Sequence, residues 1–509
     1  MAIARMSEKS SPYRRPALVA ICVLVFFILF ETYYLYSNAG LSETQTTGAS
    51  PAHTPKKKKI KTSQLHFLLP ASNPNDMFCA IVASALVNRY PAPYMIGWKG
   101  EGQYNASAAH TAKLYSLQKY LDELPHGGDD DDLVFFGDGY DVMAQLPAEV
   151  VIERYFQATA EADQRLADRF GITVEEAHER GLKQTLFWGA DKMCWPALNE
   201  AQCTKLPASH LSSNVYGPKT GGGIDHRDAK YFNSGSVIGP VGDLRNFIAA
   251  GIASLEETFD PNFKYKTSDQ IYLARLFARQ ELSRKEQIEN ELMNLGEMSD
   301  NSTGLELGTA NVTEYHVTID YESTFVQTGC FSHKWMHKLN YNNSDNTATM
   351  SKDLFDRGKN FKSYPIQMPT NVYQSLLRLF QGLPDEQAVM SAREWVGSLN
   401  LDTNVATRNI FAFYHATCSK RSLVSDFKKY WFHPWTVPLL AASYQATKAN
   451  EPITEKLIDG RKWVYKTVYP ASDVVEDQLG GVLTDHKNET YIPFSTLCAN
   501  HLSILEPLS

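Results

Sequence analysis

Between residues 65 and 280, short apolar runs alternate with stretches of helical period. Residues 65–69 (LHFLL) read as a strand. Residues 75–89 read as a helix with Phe78, Ile81, Val82, Ala85 and Leu86 on one face, and 94–98 as a second strand. The clearest helix is 110–124, where Leu114, Leu117, Leu121 and Leu124 step by 3, 4 and 3. The run 133–136 (LVFF) is wholly apolar, as in a strand covered on both faces. A long helix is predicted over 150–170, strands over 185–188 and 231–239, and a helix over 268–280 with Ser268 as its N-cap. Strands alternating with helices predict an α/β sandwich with a largely parallel sheet. The polar stretch 340–352 reads as an exposed loop, and beyond 425 only 462–468 has a strand-like pattern.

The N-terminal pattern is different. Residues 17–30 are fourteen apolar residues in a row, and Leu35 with Tyr33, Tyr34 and Tyr36 extends them. A helix over 17–36 is about 30 Å long, enough to cross a bilayer. Arg5, Lys9, Arg14 and Arg15 precede it, which keeps residues 1–16 cytosolic and puts the rest in the lumen; Lys56–Lys59 and Lys61 oppose that bias from the limit of its range. The competing reading is a signal peptide cut near Ser37-Asn38-Ala39. The first reading gives a type II protein of the Golgi or ER membrane, the second a secreted one. Residues 37–64, rich in Ser, Thr, Pro and Lys, read as a flexible stem.

Composition narrows the class. Of 509 residues, 43% are hydrophobic and 21% charged, which suits a folded body of two to three domains. The net charge of −8 argues against a nucleic-acid partner, and a single membrane segment excludes a multi-pass transporter. Apart from Cys22, six cysteines allow fifteen complete pairings, of which Cys194 with Cys203 is the pair expected first. Their spacing fits no structural zinc. Sequons at Asn105, Asn301, Asn311, Asn342 and Asn488 agree with a lumenal body.

The chemistry concentrates in 135–142 (FFGDGYDV), where an apolar strand runs into two carboxylates three residues apart. Ligand sites of open α/β sheets form beyond the carboxyl ends of strands. Gly137 and Gly139 permit a bend that turns Asp138 and Asp141 to one place. Converging carboxylates call for a cation, and hard oxygen donors suit Mg²⁺ or Mn²⁺ completed by substrate phosphates. The plain alternative is an Asp/Gly turn with capping side chains.

Four segments in order carry a resemblance. FFGDGYDVM (135–143), LFWGAD to CWP (186–196), YFNSGSVIG (231–239) and SDQIY (268–272) resemble the glycosyltransferase domain of procollagen lysyl hydroxylases and related galactosyl- and glucosyltransferases. Lys113 matches that family's lysine-bearing helix, and 319–327 its next strand pair. The likeness spans about 65–327 and implies a GT-A fold, a Rossmann-type mixed sheet flanked by helices, with a UDP-sugar donor and Mn²⁺.

Under it Asp138 and Asp141 hold metal and diphosphate. Asn233, Ser234 and Gly235 line the sugar pocket, and Gly235 lets backbone approach the ligand. Asp269 and Asp191 bind a sugar hydroxyl or orient the acceptor. Trp98 stacks on the base or is a core tryptophan. A late histidine completes the metal set. His415 is the candidate, ahead of His333 and His337, with Lys420 reaching the diphosphate; Ala416 and Thr417 replace the family's glycine and asparagine. His226-Arg227-Asp228 has the spacing of an iron site but sits inside the transferase region, so an acceptor loop is expected there.

The expectation is therefore a transferase domain over 65–425, with an insertion around 340–409 and an extension over 426–509. It would move a hexose from a UDP-sugar to a hydroxyl of a glycan or glycoprotein. The rivals are a metal-dependent phosphoesterase and a silent sugar-binding protein.

Overall fold

The computed structural model describes residues 60–100, 109–127, 129–217, 223–296, 313–384, 390–466, 469–470, 472 and 474–507. The expected tail, membrane helix and most of the stem lie outside these, as do Cys22, Asn105, Asn301 and Asn311. Among the described residues no helix is long and apolar enough to cross a membrane.

Helices flank a mixed parallel and antiparallel sheet. Its first strands are β1 (Lys61–Pro70), β2 (Tyr94–Ile96) and β3 (Leu133–Gly137), with β1 parallel to both others. Helix α1 (Asp76–Val87) follows β1 and opens where Asn75 accepts from the Phe78 N–H at 2.8 Å, a side-chain N-cap. Helix α2 (Ala109–Glu123) precedes β3 and buries the leucine stripe. β3 is apolar throughout because both its faces are covered. Leu133 and Phe135 join one core, Val134 and Phe136 the other.

After β3 the chain makes β4 (Val142–Ala144) and the long α3 (Ala148–Phe170), then β5 (Leu186–Asp191) and β6 (Tyr231–Pro240). β6 runs antiparallel between β3 and β5. Most pairings in this sheet are parallel, as the alternation predicts; β6 departs from that, since pattern alone does not set strand direction. Helices α4 (Val241–Thr258) and α5 (Asp269–Gly296) follow, and β7 (Val317–Ile319) closes that edge parallel to β5.

The stretch 319–327 carries the end of β7 and the start of a further strand, but the two do not pair with each other. β8 (Val326–Thr328) leaves the main sheet for a separate three-stranded one. Buried Asp320 turns the corner by accepting from the N–H groups of Thr324 (2.8 Å), Phe325 (2.7 Å) and Val326 (2.9 Å). Nor is 340–352 an exposed loop. β9 (Met336–Asn340) and β10 (Thr347–Met350) occupy its flanks, with Thr347, Ala348 and Met350 buried. Two-residue alternation within a polar stretch hid this strand. β10 pairs with β11 (Tyr364–Gln367), and β9 pairs with β12 (Asn400–Asn404), which pairs in turn with β13 (Asn409–Ile410).

β14 (Phe413–His415) lies between β4 and β8, antiparallel to the first and parallel to the second. The Phe413 ring stacks on Phe135 of β3 with centroids 3.9 Å apart, joining the small sheet to the large one.

The last residues complete the main sheet. β15 (Arg461–Val464) pairs with Lys61–Gln64, so β1 begins four residues inside the stretch expected to be stem. β16 (Gly481–Thr484) and β17 (Tyr491–Pro493) extend the β2 edge. Disulfides join Cys79 to Cys498, Cys194 to Cys203 and Cys330 to Cys418. The Cys194–Cys203 pair is the one expected from sequence.

Candidate metal and ligand site

Antiparallel β6 makes the site. Its first residues fall beside the last residues of β3 and β5, with Ser236 opposite Gly137 and Asn233 opposite Gly189. Asp138, Asp191 and the Asn233-Ser234-Gly235 segment therefore meet at one sheet edge. The Asp138 N–H donates to the Gly235 carbonyl at 2.8 Å. From there the chain turns tightly, with the Val142 N–H returning to the Asp138 carbonyl at 3.2 Å. Gly139 is required at the bend, because a Cβ there would stand 2.4 Å from the Pro70 carbonyl oxygen. Tyr140 pins the turn, its hydroxyl accepting from the Ser72 and Asn73 N–H groups at 3.1 and 3.2 Å.

β14 delivers His415 from the other side. The Ala416 N–H donates to the Asp141 carbonyl at 2.8 Å, so ligand-bearing segments distant in sequence are hydrogen-bonded neighbours. One candidate ligand atom from each of Asp138, Asp141 and His415 lies within 4.8 Å of the others. His415 Nε2 is 3.5 Å from Asp141 Oδ2. The Gly235 backbone packs against this ring; a Cβ there would lie 2.2 Å from His415 Cε1. The missing side chain thus makes room for the imidazole, where the sequence suggested room for a ligand.

Two lysines flank the carboxylates. Lys113 bridges Asp138 at 3.0 Å and Asp269 at 2.9 Å. Lys420 lies 2.7 Å from Asp141 Oδ2, with about half of its side chain exposed. Burial pushes the Asp138 carboxyl above the usual range, Lys113 opposing the shift and Asp141 adding to it. Burial pushes Asp141 the same way, but His415 and Lys420 overcome it and hold it at about 2. Burial works against a charged His415, yet Asp141, then Asp138 and Asp191, raise its pKa above the ordinary histidine value. Burial also raises Asp191. Environments that drive neighbouring acids apart are typical of functional sites.

The donor set fits a divalent ion. Two carboxylates and an imidazole are metal-ligating groups, and buried Asp141 Oδ1 and His415 Nδ1 have no hydrogen-bond partner. Octahedral coordination places ligand atoms roughly 3–4 Å apart, so small side-chain shifts would suffice. This buried Asp-Asp-His group could hold a metal ion.

All of these residues line one cavity of about 510 Å³. It holds Lys113, Asp138, Asp141, Asp191, Asn233, Ser234, Gly235, Asp269, His415 and Lys420. Asn233 is fixed at both ends, Nδ2 donating to Asp191 Oδ2 at 2.8 Å and Oδ1 accepting from the Gly235 N–H at 2.9 Å.

Trp98 is elsewhere. It is buried, its indole N–H donates to Glu489 at 3.0 Å, and it does not line the cavity. His333 and His337 do not belong to the ligand group, and His337 Nε2 contacts the Lys334 carbonyl. His226 is turned to the Tyr216 carbonyl and Lys334, and Asp228 accepts from Ser209, so this triplet also stays off the cavity wall.

Sequence reading missed other lining residues. Gln270 accepts from the Ser234 N–H at 3.2 Å and donates to the Trp195 carbonyl at 2.9 Å. Its place in SDQIY and that of Trp195 in CWP were the available signals. Lys264, Tyr265 and Thr267, from the turn before α5, carried none. Neither a family model nor a curated protein matches this chain.

Proposed function

We propose that the protein is a metal-dependent glycosyltransferase of GT-A-like fold. In this reading it moves a hexose from a UDP-sugar to a hydroxyl of a glycan or glycoprotein in the secretory pathway. The observation that carries it is the convergence of Asp138, Asp141 and His415 in a cavity walled by the same segments that resemble the procollagen transferases. A third ligand beside the two carboxylates weighs for turnover and against a protein that only binds sugar. Three disulfides and exposed sequon residues Asn342 and Asn488 support a lumenal body, reached as a type II Golgi or ER membrane protein or by secretion.

Bound at Asp138, Asp141 and His415, Mn²⁺ or Mg²⁺ would neutralise the charge that develops on a departing diphosphate. Asp141, whose carboxyl His415 and Lys420 hold at about 2 in the metal-free protein, would offer an ionised ligand at physiological pH. Lys420, half exposed beside Asp141, is placed to pair with a phosphate oxygen entering the cavity. The locked Asn233–Asp191 pair presents amide and carboxylate to sugar hydroxyls without reorganising. Lys113 holds Asp138 and Asp269 in register.

The test is UDP release by the full chain across a panel of UDP-sugars, with Mn²⁺ or EDTA, beside Asp141→Asn. Release with at least one donor is expected, abolished by EDTA and reduced about a thousandfold by the substitution. Turnover indifferent to both would refute the mechanism, and phosphate-ester cleavage without UDP-sugar dependence would favour a phosphoesterase.

A further inference from the structure

Trp195 is an anomaly on this surface. A large indole is normally covered, since full burial of such a side chain is worth about 2–3 kcal/mol. Here it is 52% exposed, and it lines the mouth of the cavity that holds the Asp-Asp-His group. The exposure does not come from a loose mounting. The preceding residue is tied by the Cys194–Cys203 disulfide, the Trp195 carbonyl accepts from Gln270 at 2.9 Å, and Pro196 is buried. Tyr265 stands edge-on to the indole, centroids 5.8 Å apart at 74°. A rigidly held, open aromatic pair is what a binding surface needs, because little entropy is lost when a ligand settles on it.

The surroundings select the ligand. The face of an indole is electron-rich, and the C–H-covered face of a pyranose ring is its complement. Around that face a sugar projects hydroxyls that both donate and accept. Thr267 and Ser268, both hydroxyl residues, line the same cavity, as does Asp269, whose carboxylate is paired with Lys113. A polyol uses such a rim fully; a flat base or a peptide side chain uses little of it.

We infer that Trp195, with Tyr265 beside it, is a saccharide platform that takes the terminal sugar ring of the acceptor, making the acceptor a glycan rather than a bare polypeptide hydroxyl. The word acceptor rests on the transferase reading above; the sugar binding does not.

The test is saturation-transfer NMR on the full chain with lactose, cellobiose, maltose and uridine as probes, for wild type, Trp195→Ala and Trp195→Phe. Transfer to the ring C–H protons of at least one disaccharide is expected. Trp195→Ala should weaken that binding about tenfold, and Trp195→Phe should restore most of it. The side chain is half exposed, so its truncation leaves the core packed. No transfer to any of the three sugars, or equal binding by Trp195→Ala, overturns the platform. Trp195-dependent transfer to uridine alone overturns it too, by giving the indole to a base. UDP release measured on the same preparations separates the two readings. Sugar binding without UDP release breaks the transferase and leaves the platform; UDP release without sugar binding does the reverse.

Discussion

The two walls of the cavity are built differently. Asp138, Asp191, Asn233 and Gly235 stand at the ends of β3, β5 and β6, adjacent strands of the main sheet, where the β5–β6 register breaks between Trp188 and Gly189 and the β3–β6 ladder runs on. His415 ends β14, a three-residue strand in a separate sheet, and Thr417 and Lys420 follow it. This second wall is located by a few long-range links. Ala416 donates to the Asp141 carbonyl, Gly329 to the His415 carbonyl, Cys330 to the Thr417 hydroxyl, and a disulfide joins Cys330 to Cys418. One wall is part of the fold's framework and the other is clipped onto it. The Asp-Asp-His group draws on both, so metal binding there would be separable from folding at the second wall.

Gly235→Ala should separate them most sharply. Its Cβ would lie 2.2 Å from His415 Cε1, so the imidazole must move while the β3–β6 ladder persists. Mn²⁺ affinity measured by calorimetry should fall about 10–100-fold, with secondary structure by circular dichroism retained. Unchanged affinity would mean that His415 is not a ligand.

On the scale of stability, the largest effect comes from opening the clip itself. Serine at both Cys330 and Cys418 opens a link of separation 88, against 9 for Cys194 and Cys203. Chain entropy assigns about 4–5 kcal/mol to the first and about 2.5 kcal/mol to the second. Denaturant unfolding should rank the two double variants in that order, and only the first should also lose Mn²⁺ affinity.

A smaller effect follows from protons. His415 without metal carries a raised pKa, and coordination needs the neutral ring. Mn²⁺ affinity should therefore climb as pH rises through the region above about 6.5. The stability that the His415–Asp141 pair lends the metal-free protein runs the other way, present at lower pH and lost over that same rise. Calorimetry in buffers of different ionisation enthalpy should detect the released proton, and His415→Gln should abolish the release.

The smallest expected change marks what lies outside both walls. Trp98→Phe loses the hydrogen bond to Glu489, worth about 1–3 kcal/mol of stability, and should leave donor KM within about twofold of wild type. A large KM rise would return the indole to the site.

Legibility followed the same division. Helix 110–124 and strand 133–136 were readable because each displays its own period, and one turn of chain carries both carboxylates after that strand. The first wall was legible because each of its segments is local and holds a strand or helix signal of its own. β10 was hidden by a polar composition that strand alternation does not exclude. Trp98 stands at a strand end in the sequence, yet Glu489 from the far end of the chain decides where its ring goes. Tyr265 sits in a turn without period, so nothing nearby announces that it borders a cavity.

By itself the sequence determined most elements between residues 65 and 280, the tight glycine turn that brings Asp138 and Asp141 together, and the chemistry these residues offer. Those are properties of short stretches, set by side-chain period and backbone sterics. Tertiary structure decided the rest: that β6 runs antiparallel and so opens beside two strand ends, and that β14 packs Phe413 on Phe135 and thereby presents His415 to both carboxylates. Such convergence is a packing outcome of segments that the chain keeps far apart, and no local pattern encodes it.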